Sequence, residues 1–338
     1  MLRPRKTALL RICFVLAVTF TWVLLPAAQT PPSPAFKWYK GNLHTHTINS
    51  DGDSAPDVVA RWYKEHRYNF LVLTDHNFLT QPEGLNSIFA AEDRFLLIPG
   101  EEVTSRFESK AIHVNGFNLA RTVDPLFGSS VVDTIQKNVD AIRGAGGMPS
   151  LNHPNFRWAV TPGELRQVSN LKLFEVYNGH PATNDAGGGS LPSLDEMWDS
   201  VLTAGRETYG IAVDDAHKFK VFGPAESNPG RGWVSVKARE LSTSAVLEAL
   251  DAGEFYSSTG VELEDVTRLP NGLRVHIKAG DGSDVKFTTE FIGQDGKLLA
   301  KSFDNPAEYT MLARDKYVRA KVSSSNGEHA WVQPVFAQ

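Results

Sequence analysis

The sequence predicts an α/β barrel followed by a small antiparallel β domain. In the first part of the chain, short apolar segments alternate with segments of helical periodicity, which is typical of repeated strand–helix units. After Gly260 the helical patterns end. Alternating apolar residues are then separated by Gly, Asp, Asn and Ser turns, as in antiparallel sheets.

Seven apolar segments in the first part are predicted to be strands. Seven units of this kind suggest a barrel slightly smaller than the common eight-stranded form. The predicted strands are Trp38–Leu43, Phe70–Leu73, Phe95–Ile98, Ile112–Phe117, Met148–Leu151, Leu173–Val176 and Tyr209–Val213.

Helices are predicted between several of these strands, from apolar periodicity and from residues that begin or end helices. The first runs from about Pro56 to Arg67, with Ser54 as its expected N-cap. The others run from Val131 to Arg143, from Ser193 to Ala204 and from Ser244 to Leu250, and each ends at or near a glycine. The four strands predicted after residue 260 are Leu273–Lys278, Val285–Ile292, Tyr317–Ser323 and Ala330–Phe336.

The N-terminal segment is predicted to be a secretory signal peptide covering residues 1–28. Basic residues open the chain, an apolar run from Ile12 to Leu25 follows, and cleavage is expected near Ala28. The run is short for a membrane-spanning helix, which needs about 20 apolar residues, so an uncleaved anchor is the alternative. A proline-rich linker occupies residues 29–36. The predicted barrel then covers residues 37–259, the β domain covers residues 260–338, and the protein is expected to be periplasmic or secreted.

Composition restricts the possible ligands and partners. The only cysteine, Cys13, lies in the signal segment, so a mature chain would form no disulfide and would hold any metal with nitrogen and oxygen ligands. The net charge of −5 disfavours stable binding of a nucleic-acid backbone. A small anionic substrate is still compatible with this charge, because bound cations dominate the field in their own pocket. No membrane association is expected after signal cleavage.

Metal-ligand residue types follow the predicted strands. The carboxyl ends of the strands form the active-site face of an α/β barrel, so these residues are expected to converge. Alternate residues of an extended segment point the same way, so both imidazoles of a His-x-His pair can reach one ion. Burying so many imidazoles and carboxylates without cations would be costly. The residues are His44, His46, Asp51, Asp75, His76, Glu101, Glu102, His113, His153, Asp215 and His217.

The order and spacing of these residues resemble the PHP (polymerase and histidinol phosphatase) family. The resemblance runs from about Lys37 to Ser258. It implies a distorted seven-stranded barrel that holds two to three divalent transition-metal ions, Zn, Mn or Fe. The matching segments are Gly41-Asn42-Leu43-His44-Thr45-His46, Ser50-Asp51-Gly52, Thr74-Asp75-His76-Asn77, Pro99-Gly100-Glu101-Glu102, Asn152-His153-Pro154 and Asp214-Asp215-Ala216-His217.

The resemblance also implies a ligand set for each ion. From local geometry either Glu101 or Glu102 could face the cluster, but not both, because adjacent residues of a strand point to opposite sides. The family pattern places its glutamate two residues after a glycine, which selects Glu102. By motif, His44, His46, Glu102 and Asp215 would hold the first ion, Glu102, His113 and His153 the second, and Asp51, His76 and His217 the third.

Three functions remain open from the sequence. The first is a phosphoesterase for a small phosphate ester, which uses a metal-activated water at a di- or trinuclear site. The second is a carbamate, ester or amide hydrolase. The segments from Gly232 to Gly260 and from Ala330 to Pro334 resemble exported CehA/McbA-like metallohydrolases, whose namesake cleaves a carbamate ester. The third is a non-catalytic exported binding protein, which the complete ligand set disfavours.

Several other polar residues are candidates for catalysis or substrate binding. Asp75 could orient a ligand or accept a proton, although a supporting role behind the ligands is equally consistent with its position. His66, His276 and His329 are expected to be ordinary structural or surface histidines. The residues on loops of the same face that could hold an anionic group, or could equally be solvated, are Arg157, His180, Lys218 and Arg231.

Overall fold

The computed structural model describes residues 35–89, 95–280 and 284–337, and shows a mixed α/β fold with a large sheet and few helices. The predicted signal peptide, and the linker up to residue 34, lie outside the described residues. Within the described ranges, none of the helices has the length and apolar character needed to cross a bilayer.

All seven strands predicted in the first part of the chain are present, within a few residues of the predicted ends, except that the third is much longer. Except for the first strand, which is buried only at Gly41 and Asn42, they are buried along most of their length. They are β1 (Lys37–Asn42), β2 (Phe70–Leu73), β3 (Leu96–Phe107), β4 (Lys110–Phe117), β5 (Met148–Leu151), β6 (Leu173–Asn178) and β7 (Tyr209–Val213).

The order of pairing departs from a uniformly parallel barrel at one hairpin. Strands β1, β2 and β3 pair in parallel, and so do β5, β6 and β7. Between these groups, β4 is antiparallel to both β3 and β5. Because β3 extends to Phe107, Glu101 and Glu102 lie inside this strand, whereas the sequence predicted that they follow it. An added Cβ at Gly100 would collide with Val72, so glycine allows β2 and β3 to approach closely at this point.

The main sheet is not closed into a barrel by a continuous ladder. The free edge of β1 pairs with β8 (Trp233–Ala238), which pairs with β9 (Phe255–Ser258). Among the described residues, a single parallel bridge between Thr45 and Ala216 joins the segment after β1 to the segment after β7. The two ends of the seven-stranded array therefore meet only beyond the strands, at their carboxyl ends.

Among the residues that the structure describes, six α-helices flank the sheet. Ser130 and Ser193 cap the helices that begin at Val131 and Leu194, through side-chain oxygens that accept backbone N–H groups. The prediction that Ser54 caps the first helix is wrong. Ala55 occupies that position without a side-chain bond, and the Ser54 hydroxyl donates to Asp53. The helices are α1 (Pro56–Glu65), α2 (Glu83–Phe89), α3 (Val131–Gly144), α4 (Pro162–Leu165), α5 (Leu194–Thr203) and α6 (Thr243–Ala252).

The last part of the chain consists of strands, as predicted, and it contains three more than the sequence indicated. Four of them extend the main sheet beyond β9 in the order β16-β15-β12-β13, and the other three form a separate sheet in the order β10-β11-β14. The strands are β10 (Leu263–Leu269), β11 (Gly272–Ile277), β12 (Phe287–Ile292), β13 (Leu298–Ser302), β14 (Ala307–Thr310), β15 (Tyr317–Ser324) and β16 (His329–Phe336).

Buried polar contacts join these last strands to the first part of the chain. The Gln333 side chain accepts a hydrogen bond from the Gly210 N–H and donates to the Gly210 carbonyl at 3.0 Å. Arg319 on β15 is buried and donates to Asp199 on α5 through Nε at 2.6 Å and through Nη2 at 2.7 Å. Because both partners of this ion pair are out of water, each depends on the other for compensation.

Removing one partner of this pair should destabilise the protein strongly. We expect Arg319→Met and Asp199→Ala to lower the free energy of unfolding by about 3–5 kcal/mol each, the usual effect of leaving one buried charge uncompensated. As a control, Lys301→Met breaks an exposed ion pair with Glu290 and should cost no more than about 1 kcal/mol. Urea unfolding followed by circular dichroism measures all three variants. Equal, small losses of stability in all three variants would contradict a strong contribution of the buried ion pair.

Candidate metal centre

The segments after β1 and β7 hold the His-x-His and Asp-x-His pairs side by side. The Asp215 N–H donates to the His44 carbonyl, and the His46 N–H donates to the Ala216 carbonyl, both at 2.9 Å. His44, His46 and Asp215 are buried. Asp215 has a φ of 48°, a left-handed backbone conformation that costs energy for a residue other than glycine and that often occurs at functional sites.

The nine predicted ligands form one continuous cluster. Three groups have ligand atoms that all lie within 4.8 Å of one another, which is close enough for each group to contact a single cation. They are His46 with Asp51, His76 and His217, then His44 with His46 and Glu102, and finally His76 with Glu102 and His113. His153 joins them through Nε2, which lies 3.3 Å from Glu102 Oε1.

Glu102 lies at the centre of the cluster, and its two oxygens face different histidines. Oε2 lies 2.8 Å from His76 Nδ1 and 3.4 Å from the Nε2 atoms of both His44 and His46. Oε1 lies 2.9 Å from His113 Nδ1 and accepts a hydrogen bond from the Asn152 amide at 2.8 Å. A carboxylate with this arrangement can bridge two cations, one at each oxygen.

The unsatisfied atoms of the cluster fit divalent cations. Glu102 Oε2 is buried and accepts no hydrogen bond in favourable geometry, although three imidazole nitrogens converge on it. A buried carboxylate oxygen without a hydrogen bond is costly, and a cation bound between that oxygen and the nitrogens would remove the cost. The donors are imidazole nitrogen and carboxylate oxygen, the ligand types that Zn, Mn and Fe accept.

Without cations, the acids and bases of the cluster charge one another. Burial alone raises the pKa of Glu102, but the charges of His76, His113 and His44 outweigh burial and hold it well below its usual range. Burial lowers the pKa of His76, but the negative charges of Glu102 and Asp51 outweigh this and raise it to about 10. The pKa of His46 is lowered to about 4, by burial and by the neighbouring charge of His217.

A buried glutamate that the sequence analysis missed supports the ligands from behind. Glu175 on β6 has Oε1 2.6 Å from His44 Nδ1, and its Oε2 accepts hydrogen bonds from the His153 N–H at 2.6 Å and from the Asn178 amide at 2.8 Å. An ionised carboxylate accepts only, so it keeps a proton on His44 Nδ1 and leaves Nε2 free for a cation. The available signal was a charged residue inside the apolar segment from Leu173 to Val176.

Asp75 holds the loop that carries two ligands. Its buried carboxylate accepts four hydrogen bonds, from the Thr47 N–H and hydroxyl and from the Ser50 and Thr80 hydroxyls, at 2.7 to 3.1 Å. This loop connects His46 to Asp51. With these oxygens occupied, the supporting role replaces the catalytic one considered from sequence, and we assign Asp75 to positioning.

The other candidates differ in their access to the cluster. His180 lines the metal cavity together with Phe156 and Thr183. Arg231 does not line this cavity, and its guanidinium donates to the Gly179 and Gly223 carbonyls. Neither Arg157, which is exposed beside the Phe156 ring, nor Lys218 lines this cavity. Only His180 of these four candidates therefore meets the cavity directly.

The remaining histidines have positions unrelated to the cluster, as the sequence analysis predicted. His66 stacks on Trp62 with ring centroids 3.7 Å apart. His276 lies on β11, and His329 opens β16, where its Nδ1 lies 2.9 Å from the Ser323 hydroxyl. None of the three belongs to a group of potential metal ligands among the described residues.

Comparison with known proteins gives partial likenesses. No protein-family model matches the chain. The 5'-3' exoribonuclease Rnm of Salmonella typhimurium is 33% identical over 79 residues, 23% of this chain and 27% of that protein. Rnm of Escherichia coli is 26% identical over 170 residues, 50% of this chain and 55% of that protein. The chain therefore spans about half, or less, of the length of these curated relatives.

One solved structure shares the fold over most of both chains. It is a two-domain protein from Bacteroides vulgatus that contains a predicted PHP-like metal-dependent phosphoesterase. The TM-score is 0.52 at 19% identity, and the match covers 88% of this chain and 94% of that one. At this identity the likeness establishes a common fold.

The two adjacent glutamates of β3 should respond differently to substitution. Glu102→Gln should weaken metal binding by at least about 100-fold, because even residues that only orient ligands contribute roughly 10–100-fold. Glu101 points away from the cluster, accepts from the Val123 N–H at 2.9 Å, and has a pKa that burial raises to about 7. Glu101→Gln keeps that acceptor and should leave metal content unchanged. Metal titration of both variants decides, and the opposite ranking would show that the other glutamate faces the cations.

Loading the cluster with a divalent cation should release protons at pH 7 to 8. His76, with a pKa raised to about 10, is protonated there and must lose its proton to bind a cation, whereas His46 is already neutral. Affinity should therefore increase with pH up to about 10. Calorimetric titrations in buffers of different ionisation enthalpy measure the number of protons released. A binding enthalpy independent of the buffer would contradict this account.

Proposed function

We propose that the protein is a metal-dependent hydrolase of the PHP family and acts as a phosphoesterase on a small, anionic phosphate ester. The observation that carries the proposal is the convergence of nine potential ligands in one cluster, at the centre of which the buried Oε2 of Glu102 has no hydrogen bond. The fold shared with a PHP-like phosphoesterase supports it, and so does the local similarity to exoribonucleases, which cleave phosphate esters in RNA.

Two to three cations, Zn, Mn or Fe, would be held by the sets that the family resemblance implies. His44, His46 and Asp215 would share one cation with Glu102, whose other oxygen would contact the second beside His113 and His153. Asp51 would hold the third with His76 and His217. Bound cations of this kind supply Lewis acidity and an activated water at neutral pH. The protein's own contribution is to fix the imidazole orientations, through Glu175 and the loop that Asp75 holds.

The shape of the site limits the substrate. The metal cavity has a volume of about 140 Å³, which suits the phosphoryl end of a substrate and excludes a large group.

We also propose that the chain is exported, that it belongs with the CehA/McbA-like subgroup, and that residues 260–338 act as an accessory domain. The two-domain organisation of the Bacteroides vulgatus protein supports the last point.

His180 is proposed to donate a hydrogen bond to the substrate. Its Nδ1 accepts from the Ala182 N–H at 3.2 Å, so the proton of the neutral ring is on Nε2. Burial lowers its pKa, which keeps the ring neutral at pH 7. Unlike the six ligand histidines, His180 has no carboxylate within ion-pair distance among the described residues.

A substrate panel tests the proposed function. Purified protein loaded with Mn or Zn should hydrolyse p-nitrophenyl phosphate and should turn over bis-p-nitrophenyl phosphate, 1-naphthyl methylcarbamate and a 5'-phosphorylated RNA oligonucleotide more slowly. A chelator should abolish activity, and added metal should restore it. Faster turnover of the carbamate would identify a carbamate hydrolase instead, and faster turnover of RNA would identify a nuclease. Failure to hydrolyse any of the four with any metal would exclude a hydrolase of these ester classes.

His180→Ala should separate substrate binding from metal binding. We expect about a 100-fold decrease in kcat, the usual contribution of a positioned proton donor, with metal content unchanged. As the matched variant, His153→Ala should lower both metal content and kcat. Loss of metal from His180→Ala would instead make His180 a ligand, and an unchanged kcat would remove it from the site.

A further inference from the structure

A second cavity adjoins the metal cavity on the side of His180. Its volume is about 540 Å³, and His180 and Thr183 line both cavities. Most of its wall is the segment from Tyr177 to Gly187, which begins at the carboxyl end of β6, and Pro224 and Arg231 complete it. The part of a phosphate ester that does not fit beside the ligands can therefore continue past His180 into this space.

The charged side chains Arg231 and Asp185 in the wall of the second cavity have hydrogen-bond partners in the protein. Arg231 donates through Nη1 to the Gly179 carbonyl at 2.9 Å and through Nη2 to the Gly223 carbonyl at 2.6 Å. Asp185 accepts from the Asn178 N–H at 2.7 Å, and burial raises its pKa to about 7. Arg231 keeps its positive charge, but its Nη1 and Nη2 groups already donate to carbonyls and so present fewer donors to a second phosphate. Asp185, with this raised pKa, is a weak anion for an amine.

Uncharged polar groups remain available along the same wall. The Tyr177 hydroxyl has no hydrogen-bond partner among the described residues, and it can both donate and accept. Asn184 is exposed on the loop and uses one amide hydrogen to donate to the Asn155 carbonyl at 3.1 Å. Its amide oxygen and second hydrogen have no hydrogen-bond partner in the part of the chain that the structure describes. Side chains that both donate and accept hydrogen bonds match ligand hydroxyl groups, which also do both.

We propose that this second cavity binds the alcohol part of the substrate, and that this part is an uncharged group with several hydroxyls, a sugar or a polyol. The inference rests on the proposed phosphoesterase function and narrows its substrate class. The phosphoryl end would lie among the ligands, His180 would stand at the boundary, and the hydroxyls would meet Tyr177 and Asn184.

Kinetics with metal-loaded protein test the inference first. Glucose 6-phosphate and glycerol 3-phosphate should have at least about tenfold higher kcat/KM than fructose 1,6-bisphosphate, whose second phosphate meets few free donors on Arg231. Tyr177→Phe should lower kcat/KM for glucose 6-phosphate about fivefold, the effect of one lost hydrogen bond, and should lower it more than that for p-nitrophenyl phosphate, whose leaving group has no sugar hydroxyls. Tyr39→Phe, which removes a hydroxyl outside the cavity, is the matched control and should change neither.

Binding measured without added metal gives an independent readout. Saturation-transfer NMR should detect contact between unphosphorylated glucose and the protein. Ala186→Trp, which fills the cavity from its exposed loop, should abolish that signal, and Ala279→Trp, an exposed alanine far along the chain, should preserve it.

The outcomes distinguish this inference from the function on which it rests. Hydrolysis of p-nitrophenyl phosphate without any preference for sugar phosphates, and without an effect of Tyr177→Phe, would overturn the inference and leave the phosphoesterase intact. Absence of all phosphate-ester hydrolysis would remove the phosphoesterase, whereas a glucose signal lost only in Ala186→Trp would still support the ligand class of the cavity. A glucose signal unchanged in Ala186→Trp would overturn the cavity assignment.

Discussion

The buried charge of Glu102 is the constraint on which the site depends. Its side chain is only 1% exposed, and water cannot compensate the carboxylate there. Compensation must come from groups that the fold brings to the same point, and five imidazoles lie within 3.4 Å of its two oxygens. This is possible because Glu102 lies inside β3, so the strands on both sides of β3 deliver their residues toward it.

The polar groups behind the ligands contribute indirectly, because they hold the residues that surround Glu102. Glu175 holds His44 and the backbone of His153, and Asp75 accepts three hydrogen bonds from the loop that carries Asp51 and a fourth from Thr80. These carboxylates have partners that do not face the cavity. They fix ligand orientation before any cation arrives, which reduces the ordering that metal binding would otherwise require. The positions of the ligands therefore depend on residues outside the ligand set.

Features that lie within one local segment could be predicted from the sequence. The role of Glu175 and the full length of β3, which depend on contacts between distant residues, could not. The His-x-His and Asp-x-His pairs each lie in one extended segment, so the spacing alone predicts that the two side chains of each pair point the same way. Glu175 is different, because its function depends on contact with His44, 131 residues away. The continuation of β3 past Gly100 was missed because the apolar pattern stops at Ile98 while backbone pairing with β4 continues to Phe107. The seven strands do not close into the predicted barrel for a related reason, since β8 pairs with the edge of β1 that a complete barrel needs.

Exposure is uneven within the cluster, and this asymmetry gives the site a direction. The side chain of Asp51 is 54% exposed, whereas Glu102 and the His-x-His pair are sealed from solvent. Groups in contact with water hold a cation less tightly, because hydration competes with the ligand and screens its charge. Under the proposed loading with two to three cations, the open set around Asp51 would hold its cation less tightly, and exchange it more readily, than the buried ligands. Since His217 of that set lies beside His180, with ring centroids 5.6 Å apart, the exchangeable side of the cluster is also the side that faces the second cavity.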